Sequence, residues 1–252
     1  MTATQNGRHD SDISDNAPDL KILAIDTSTS MASAAITCGR RVLAEAVFNT
    51  DRTLSARLMP EIERLLALAG IEIAGIDLFA ASSGPGSFTG VRGGLATIQG
   101  LALATGKPCA GYSSLALLAM NFSLSPYPVC PVLDARKSEV YAGLYDCSSP
   151  TPVAIIKDCV LPPADLLDLI FSSSDKPVIF AGDGAQRYAD LMLERIAGRG
   201  MIAPFQLHAS HAANGAMLAL EACLRGETVP PALLQPTYLR ASGAEINRKK
   251  KM

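Results

Sequence analysis

Residues 82–94, SSGPGSFTGVRGG, place five glycines and a proline in thirteen positions, between the apolar run GIDLFAASS and the helix-like stretch FTGVRGGLATIQGLALATG. A chain that leaves a strand through such a turn, enters a helix and then meets the strand start KPCAGYS reads as a βαβ unit, a parallel pair with a right-handed crossover. Two nucleotide-binding explanations of the glycines fail on spacing. A P-loop needs a lysine followed by Ser or Thr at the helix start, and Ser87-Phe88-Thr89-Gly90-Val91 has no lysine. The dinucleotide pattern G-x-G-x-x-G is broken by one extra residue before Gly90. Packing explains more: Gly90, Gly93, Thr97, Gly100 and Ala104 recur at steps of three, four, three and four, which lines small residues along one helix face. Glycines at positions 90, 93, 94 and 100 together cost about 2–4 kcal/mol relative to alanine, so close approach by another element is expected to offset them. Exposed amides at the helix start make an anion site the alternative.

The rest of the chain punctuates as an α/β fold. In KILAIDTSTS, Ile22 to Ile25 form a central-strand run that ends at Asp26, and MASAAITCGRRVLAEAVF supplies two further strands around Cys38–Arg41, predicting an antiparallel meander. In LSARLMPEIERLLALAG, Leu54, Leu58, Ile62, Leu65, Leu66 and Ala69 fall at helical spacing with Gly70 as the stop; Pro60 predicts either a kink or the helix's true first turn. CPVLDARKSEVYAGLYD repeats the opening: an apolar strand ending in an aspartate, Asp134, then a polar turn and a further strand. Asp26 lies eight residues before Ala34 and Asp134 eight before Ala142, which predicts two lobes of related topology. PVIFAGDGAQRYADLMLERIAG reads as strand, turn and helix, and SHAANGAMLALEACLRG as a last helix. The expected boundaries are a disordered extension at 1–19, an N-terminal lobe at 20–122, a C-terminal lobe at 123–240 whose last helix packs back on the first, and a flexible basic tail at 241–252.

Composition narrows the function. With 48% hydrophobic and 18% charged residues the chain reads as a soluble globular protein, and a net charge of −2 supplies no broad basic surface for nucleic acid. RNA contact would then come mostly through a partner; the closing NRKKKM reads as a solvated terminus, with weak RNA contact as the alternative. No apolar stretch is long enough to span a bilayer. Six scattered cysteines without a CxxC pair read as reduced thiols in the cytosol. Asp26 and Asp134 are candidates for magnesium or phosphate positioning, against turn residues near Ser28 and Ser138. His208 and His211 start a helix, where capping and surface roles are commoner than catalysis. No triad, zinc motif or acid pair stands out, so the residues describe a two-lobed α/β protein without obvious catalytic equipment.

Several blocks together carry a resemblance. ILAIDTSTSMASAAI, GPGSFTGVRGGLATIQGLALAT, GYSSLALLA, LDARKSEVYAGLY, AGDGAQRY and PTYLR, in that order over about residues 21 to 240, resemble the TsaB (YeaZ) family, bacterial subunits of the machinery for threonylcarbamoyladenosine in tRNA. The resemblance implies a two-lobed ASKHA fold (actin, sugar kinase and Hsp70; RNase H-like) with duplicated mixed β-sheet lobes. It implies a cytoplasmic, non-catalytic partner that binds and activates TsaD in threonylcarbamoyl transfer to adenosine 37 of ANN-reading tRNAs. TsaE joins the complex, tRNA is reached indirectly through it, and the isolated subunit forms a homodimer. In TsaD the segment aligned with GYSSLALLA carries two metal-ligand histidines; here Ser114 and Leu118 stand there, and neither can replace an imidazole. Ser28 stands where ASKHA enzymes usually place a glycine, and Leu54 where many family members have a histidine. No cofactor is implied, with weak ATP and magnesium binding left open. The family associates through two helices, here about 54–69 and 88–105, in a four-helix bundle. The implied interface residues are Leu58, Ile62, Leu65, Leu66, Gly90, Gly94, Ile98 and Leu101. Asp26, Ser28, Gly84, Gly86, Ser87 and Asp134 form a candidate residual nucleotide or anion loop. The alternatives are an ASKHA enzyme with its own ATP-dependent activity and a stand-alone homodimeric binding module.

Overall fold

A computed structural model describes residues 19–50 and 54–239, so the extension expected at 1–19, apart from Asp19, and the tail at 241–252 lie outside the described residues. Three antiparallel strands come first: β1 (Lys21–Asp26), β2 (Met31–Cys38) and β3 (Arg41–Asn49). Helix α1 (Leu54–Ala69) crosses to β4 (Leu78–Gly84), and α2 (Phe88–Thr105) crosses to β5 (Cys109–Ser113). Strand β4 runs parallel to both β1 and β5, giving a first sheet in the order β3-β2-β1-β4-β5.

After α3 (Ser114–Ala119) the plan repeats. Strands β6 (Val129–Arg136), β7 (Glu139–Asp146) and β8 (Val153–Leu161) form the second meander. Helix α4 (Pro163–Ser173) leads to β9 (Val178–Ala181), and α5 (Asp183–Arg187) and α6 (Ala189–Ile196) lead to β10 (Gly200–Ile202). The second sheet, β10-β9-β6-β7-β8, is the first one read from the other end. Two lobes with duplicated mixed sheets, the arrangement the resemblance implies, are therefore present. The duplication is offset by one residue from the sequence spacing. Asp26 faces Ser33 across the first hairpin and Asp134 faces Val140 across the second, so the second loop is one residue shorter. The counterpart of Ala142, which faces Val132, is Ala35, which faces Ala24.

Five of the six residues of β1 are buried in succession because the strand, central in a mixed sheet, is covered on both faces. On one face Leu58, Ile62 and Leu65 of α1 and Val91, Leu95 and Ile98 of α2 pack on Leu23, Ile25 and Phe79. On the other, α7 (Ala212–Leu224) places Ala216, Ala219 and Leu220 against Ile22, Ala24, Leu78 and Tyr112. The last α-helix among the described residues thus lies on the first sheet. Pro60 sits inside α1 and does not start it. Both it and Ala56, four residues earlier, whose carbonyl loses its helical donor, are exposed residues.

Candidate functional site

A cleft of about 640 Å³ opens between the two sheets, where β1 and β6 release their aspartates. One wall is rich in hydroxyls: Thr27 to Ser30 after β1, with Ser87 and Thr89 at the start of α2. The other is formed by Leu133 to Arg136, Tyr141 and Asp183.

Helix α2 begins directly on the turn after β1. Ser87 N donates to Ser28 O at 2.7 Å, and Thr27 Oγ1 donates to Gly90 O at 2.8 Å. A Cβ on Gly86 would lie 2.4 Å from Ser28 O, one on Gly90 2.1 Å from Thr27 O, and one on Gly94 2.2 Å from Thr27 Oγ1. These three glycines exist so that the chain's own helix can reach its own turn. Gly93 is different, facing Leu54 Cδ2 at 3.4 Å, and Gly100 meets nothing within 4 Å. Ser87 caps the helix by accepting from Gly90 N at 3.3 Å, so the loop itself already uses part of the donor set an anion would need.

The docking shuts Asp26 away. It is fully buried; Oδ1 accepts from Ser28 N at 3.0 Å and from Ser82 Oγ at 2.5 Å, while Oδ2 has no hydrogen-bond partner among the described residues. Burial raises its pKa, and the Ser82 and Ser28 donors offset only part of that rise. The carboxyl thus lies behind the cleft wall and accepts from its own turn, the second of the two roles weighed for this position. Gly84 also lies behind the wall, at φ 101 and facing Thr237 O. Ser28, Gly86, Ser87 and Asp134 do come together in the cleft lining.

Asp134 is reached from the cleft but is already engaged. Its Oδ1 accepts from Arg136 N at 2.9 Å, and its Oδ2 lies 3.4 Å from Arg136 Nη1 and 3.6 Å from Arg187 Nη1. Asp183 Oδ1 accepts from Asp134 N at 3.0 Å, and burial, joined by the Asp134 charge, raises the Asp183 pKa. Arg136, Lys137 and Ser138 carry three consecutive positive φ angles (63, 53 and 59°), the left-handed backbone that turns β6 tightly into β7 at the cleft mouth. Among the described residues no three His, Cys, Asp or Glu side chains converge as metal ligands. Ser114 and Leu118 are both buried in α3, Leu118 within the core formed with Leu133 and Ala181. His208 accepts from Gly182 N through Nδ1 at 2.9 Å, and His211 lies 3.5 Å from Glu45, which accepts from Ala213 N at the start of α7.

The helix residues expected at a partner interface sort differently. Leu58, Ile62, Leu65, Gly94 and Ile98 are buried in the chain's own core, and Gly90 is against Thr27. Helical spacing selects the main apolar stripe, and that stripe faces the chain's own sheet, which corrects the assignment for these six. Leu66 and Leu101 are half-buried. The outward faces carry Leu68, 64% exposed, and Leu103, 66% exposed, among exposed Ala67, Ala96, Gly100 and Ala104. Leu68 and Leu103 were legible only as apolar residues out of phase with the stripe.

The family model for TsaD, tRNA N6-adenosine threonylcarbamoyltransferase, matches residues 41–248 of the chain. The tRNA threonylcarbamoyladenosine biosynthesis protein TsaB of Bacillus subtilis is 30% identical over 226 residues, which cover 90% of this chain and 96% of that protein. The Escherichia coli protein of the same name is 36% identical over 128 residues, 50% of this chain and 55% of the relative. Among solved structures, YeaZ from Pseudomonas aeruginosa matches with a TM-score of 0.74 at 31% identity, covering 87% of this chain and 100% of that one. A duplicated two-sheet fold, a family model across most of the chain and a nearly full-length relative agree: the chain belongs to the TsaD family that the model describes and, within it, to the TsaB (YeaZ) proteins.

Proposed function

We propose that the chain is a partner subunit in the formation of threonylcarbamoyladenosine in tRNA, without transferase chemistry of its own, and that it holds a TsaD-type subunit in its active state. Pairing uses the outer faces of α1 and α2; TsaE joins the pair, tRNA is engaged by the assembly, and the isolated subunit dimerises through the same faces in the cytoplasm. One observation carries this reading: Leu68 and Leu103 are about two-thirds exposed on neighbouring helices, and a Cβ on Gly100 would meet no atom of the described residues within 4 Å. The helices run in the same direction, since each connects parallel strands of the first sheet. An open small-residue patch flanked by leucines suits close helix-to-helix packing.

The donor set supports a partner and not a catalyst. Asp26 is enclosed, Asp134 is paired with two arginines, and Ser114 and Leu118 offer no imidazole. Among the described residues no helix is long and apolar enough to cross a membrane. The test mixes purified chain with TsaD, TsaE, the threonylcarbamoyl adenylate and an ANN-reading tRNA transcript, omitting one protein at a time. Product is expected only when TsaD is present, and a stable pair by sedimentation; product from this chain without TsaD would overturn the reading. The hydroxyl-rich wall and Arg136 favour weak anion or nucleotide binding in the cleft as a second reading, which calorimetry with ATP and magnesium measures directly.

A further inference from the structure

At the rim of the cleft, Phe88, the first residue of α2, stacks on Tyr238 with ring centroids 5.6 Å apart and planes 27° from parallel. Both stay open to solvent, at 45% and 46% exposure. The Arg92 guanidinium lies 3.9 Å from the Phe88 ring centre, and its Nε donates to Tyr238 Oη at 2.6 Å. That bond uses one of five guanidinium donors, and among the described residues no carboxylate forms an ion pair with Arg92. Tyr238 is held there by a fixed strap: Val229 and Cys109 exchange backbone hydrogen bonds, Gln99 Nε2 donates to Pro231 O and Leu234 O, and Thr237 N donates to Ser83 O. The platform is therefore aromatic and cationic, tied down by backbone hydrogen bonds and without an ion-paired carboxylate among the described residues.

We propose that this platform of Phe88, Arg92 and Tyr238 is a direct contact site for unpaired RNA, receiving a base from a loop on the rings and a phosphate on the guanidinium. The inference rests on the reading of the chain as a tRNA-modification subunit and adds a contact to it. Unpaired bases expose π-faces that stack on aromatic side chains and arginine planes, whereas bases in a duplex are already stacked and out of reach. Charge argues for a polyanion over an apolar peptide. The Arg92 guanidinium stands beside two exposed rings and keeps four N–H donors for an anionic group, which an apolar peptide would leave unused. The hydroxyls of Ser87 and Thr89 beside Phe88 extend the polar surface along the cleft wall.

The test uses the full chain and fluorescence anisotropy, comparing a labelled anticodon stem-loop of an ANN-reading tRNA with a blunt RNA duplex of the same length. The loop is expected to bind at least about tenfold more tightly than the duplex. Phe88→Leu and Tyr238→Leu each weaken loop binding about tenfold, the scale of one lost base stack, and leave duplex binding unchanged. Arg92→Lys, which keeps the charge and loses the plane, also weakens the loop selectively. Equal binding of loop and duplex, no binding by the unaltered chain, or leucine variants that keep native melting and bind within twofold of it overturns the proposal. Pairing with TsaD is read on the same variants. Phe88→Leu that loses pairing while RNA affinity is unchanged assigns the rings to a protein partner and overturns the RNA contact. Loop preference in an unaltered chain that fails to pair with TsaD refutes the functional reading and upholds the contact.

Discussion

Replacing Leu68 and Leu103 together by aspartate is expected to abolish pairing and spare the fold, and Leu65→Ala is expected to do the reverse. Leu65 is fully buried between α1 and the first sheet, so its truncation removes transfer free energy and leaves a cavity, at about 2–5 kcal/mol. Leu68 and Leu103 already spend most of their surface in water, and changes at such positions normally move stability by no more than about 0.5 kcal/mol each. Their contribution belongs to association. Complete burial of a leucine stabilises by about 1.5–3 kcal/mol, so covering the exposed two-thirds of both amounts to about 2–4 kcal/mol, or roughly 30- to 700-fold in Kd. Aspartate adds the cost of desolvating a charge, which makes that range a lower bound for the double variant. Sedimentation velocity with TsaD reads the pairing and urea unfolding reads the fold. A double variant that pairs within threefold of the unaltered chain, or a Leu65→Ala chain with native stability and lost pairing, refutes the assignment of inward and outward faces.

Three further outcomes follow from the site. Gly90→Ala is expected to destabilise by about 1–3 kcal/mol, because its Cβ would fall 2.1 Å from a backbone oxygen, whereas Gly100→Ala should gain about 0.5–1 kcal/mol by urea unfolding and weaken pairing. Burial raises the Asp26 pKa, so the folded chain keeps a proton that the unfolded chain releases above its ordinary value of 3.8; stability falls as pH rises beyond that value toward the raised folded pKa. Asp26→Asn should therefore be more stable than the unaltered chain at pH 7, with the gap closing toward pH 4, as thermal melts across that range will show. The Glu45 hydrogen bond raises the His211 pKa, so its stabilisation is complete below the ordinary 6.5 and lost as pH rises through the folded value. Both partners are partly exposed, so the effect stays under about 1 kcal/mol and should appear as falling hydrogen-exchange protection at Ala213 between pH 6 and 8, absent in Glu45→Gln.

What the amino-acid order reveals here, and what it hides, follows from the range of the contacts. Strand runs, the Asp-turn-hairpin unit and the helix stripe are local patterns, so the duplicated lobes are legible with an error of one residue, where the second hairpin loop is shorter. The glycines of α2 show the limit. Gly90 and Gly94 lie on one face and Gly93, Thr97, Gly100 and Ala104 on the next, about 60° around the helix, a separation that spacing by threes and fours runs together. Only the packed chain distinguishes glycines that admit its own β1 turn from those that leave room for another molecule. The Phe88–Tyr238 stack joins residues 150 positions apart and has no local signature at all. The same distinction decides the fate of the cleft. Glycines whose clustering resembles a phosphate cradle bring α2 so close to Thr27 and Ser28 that Asp26 is left behind the wall, where burial raises its pKa. The packing of α2 on the β1 turn thus builds the first lobe beneath α1 and α2 and, by the same contacts, encloses the Asp26 carboxyl.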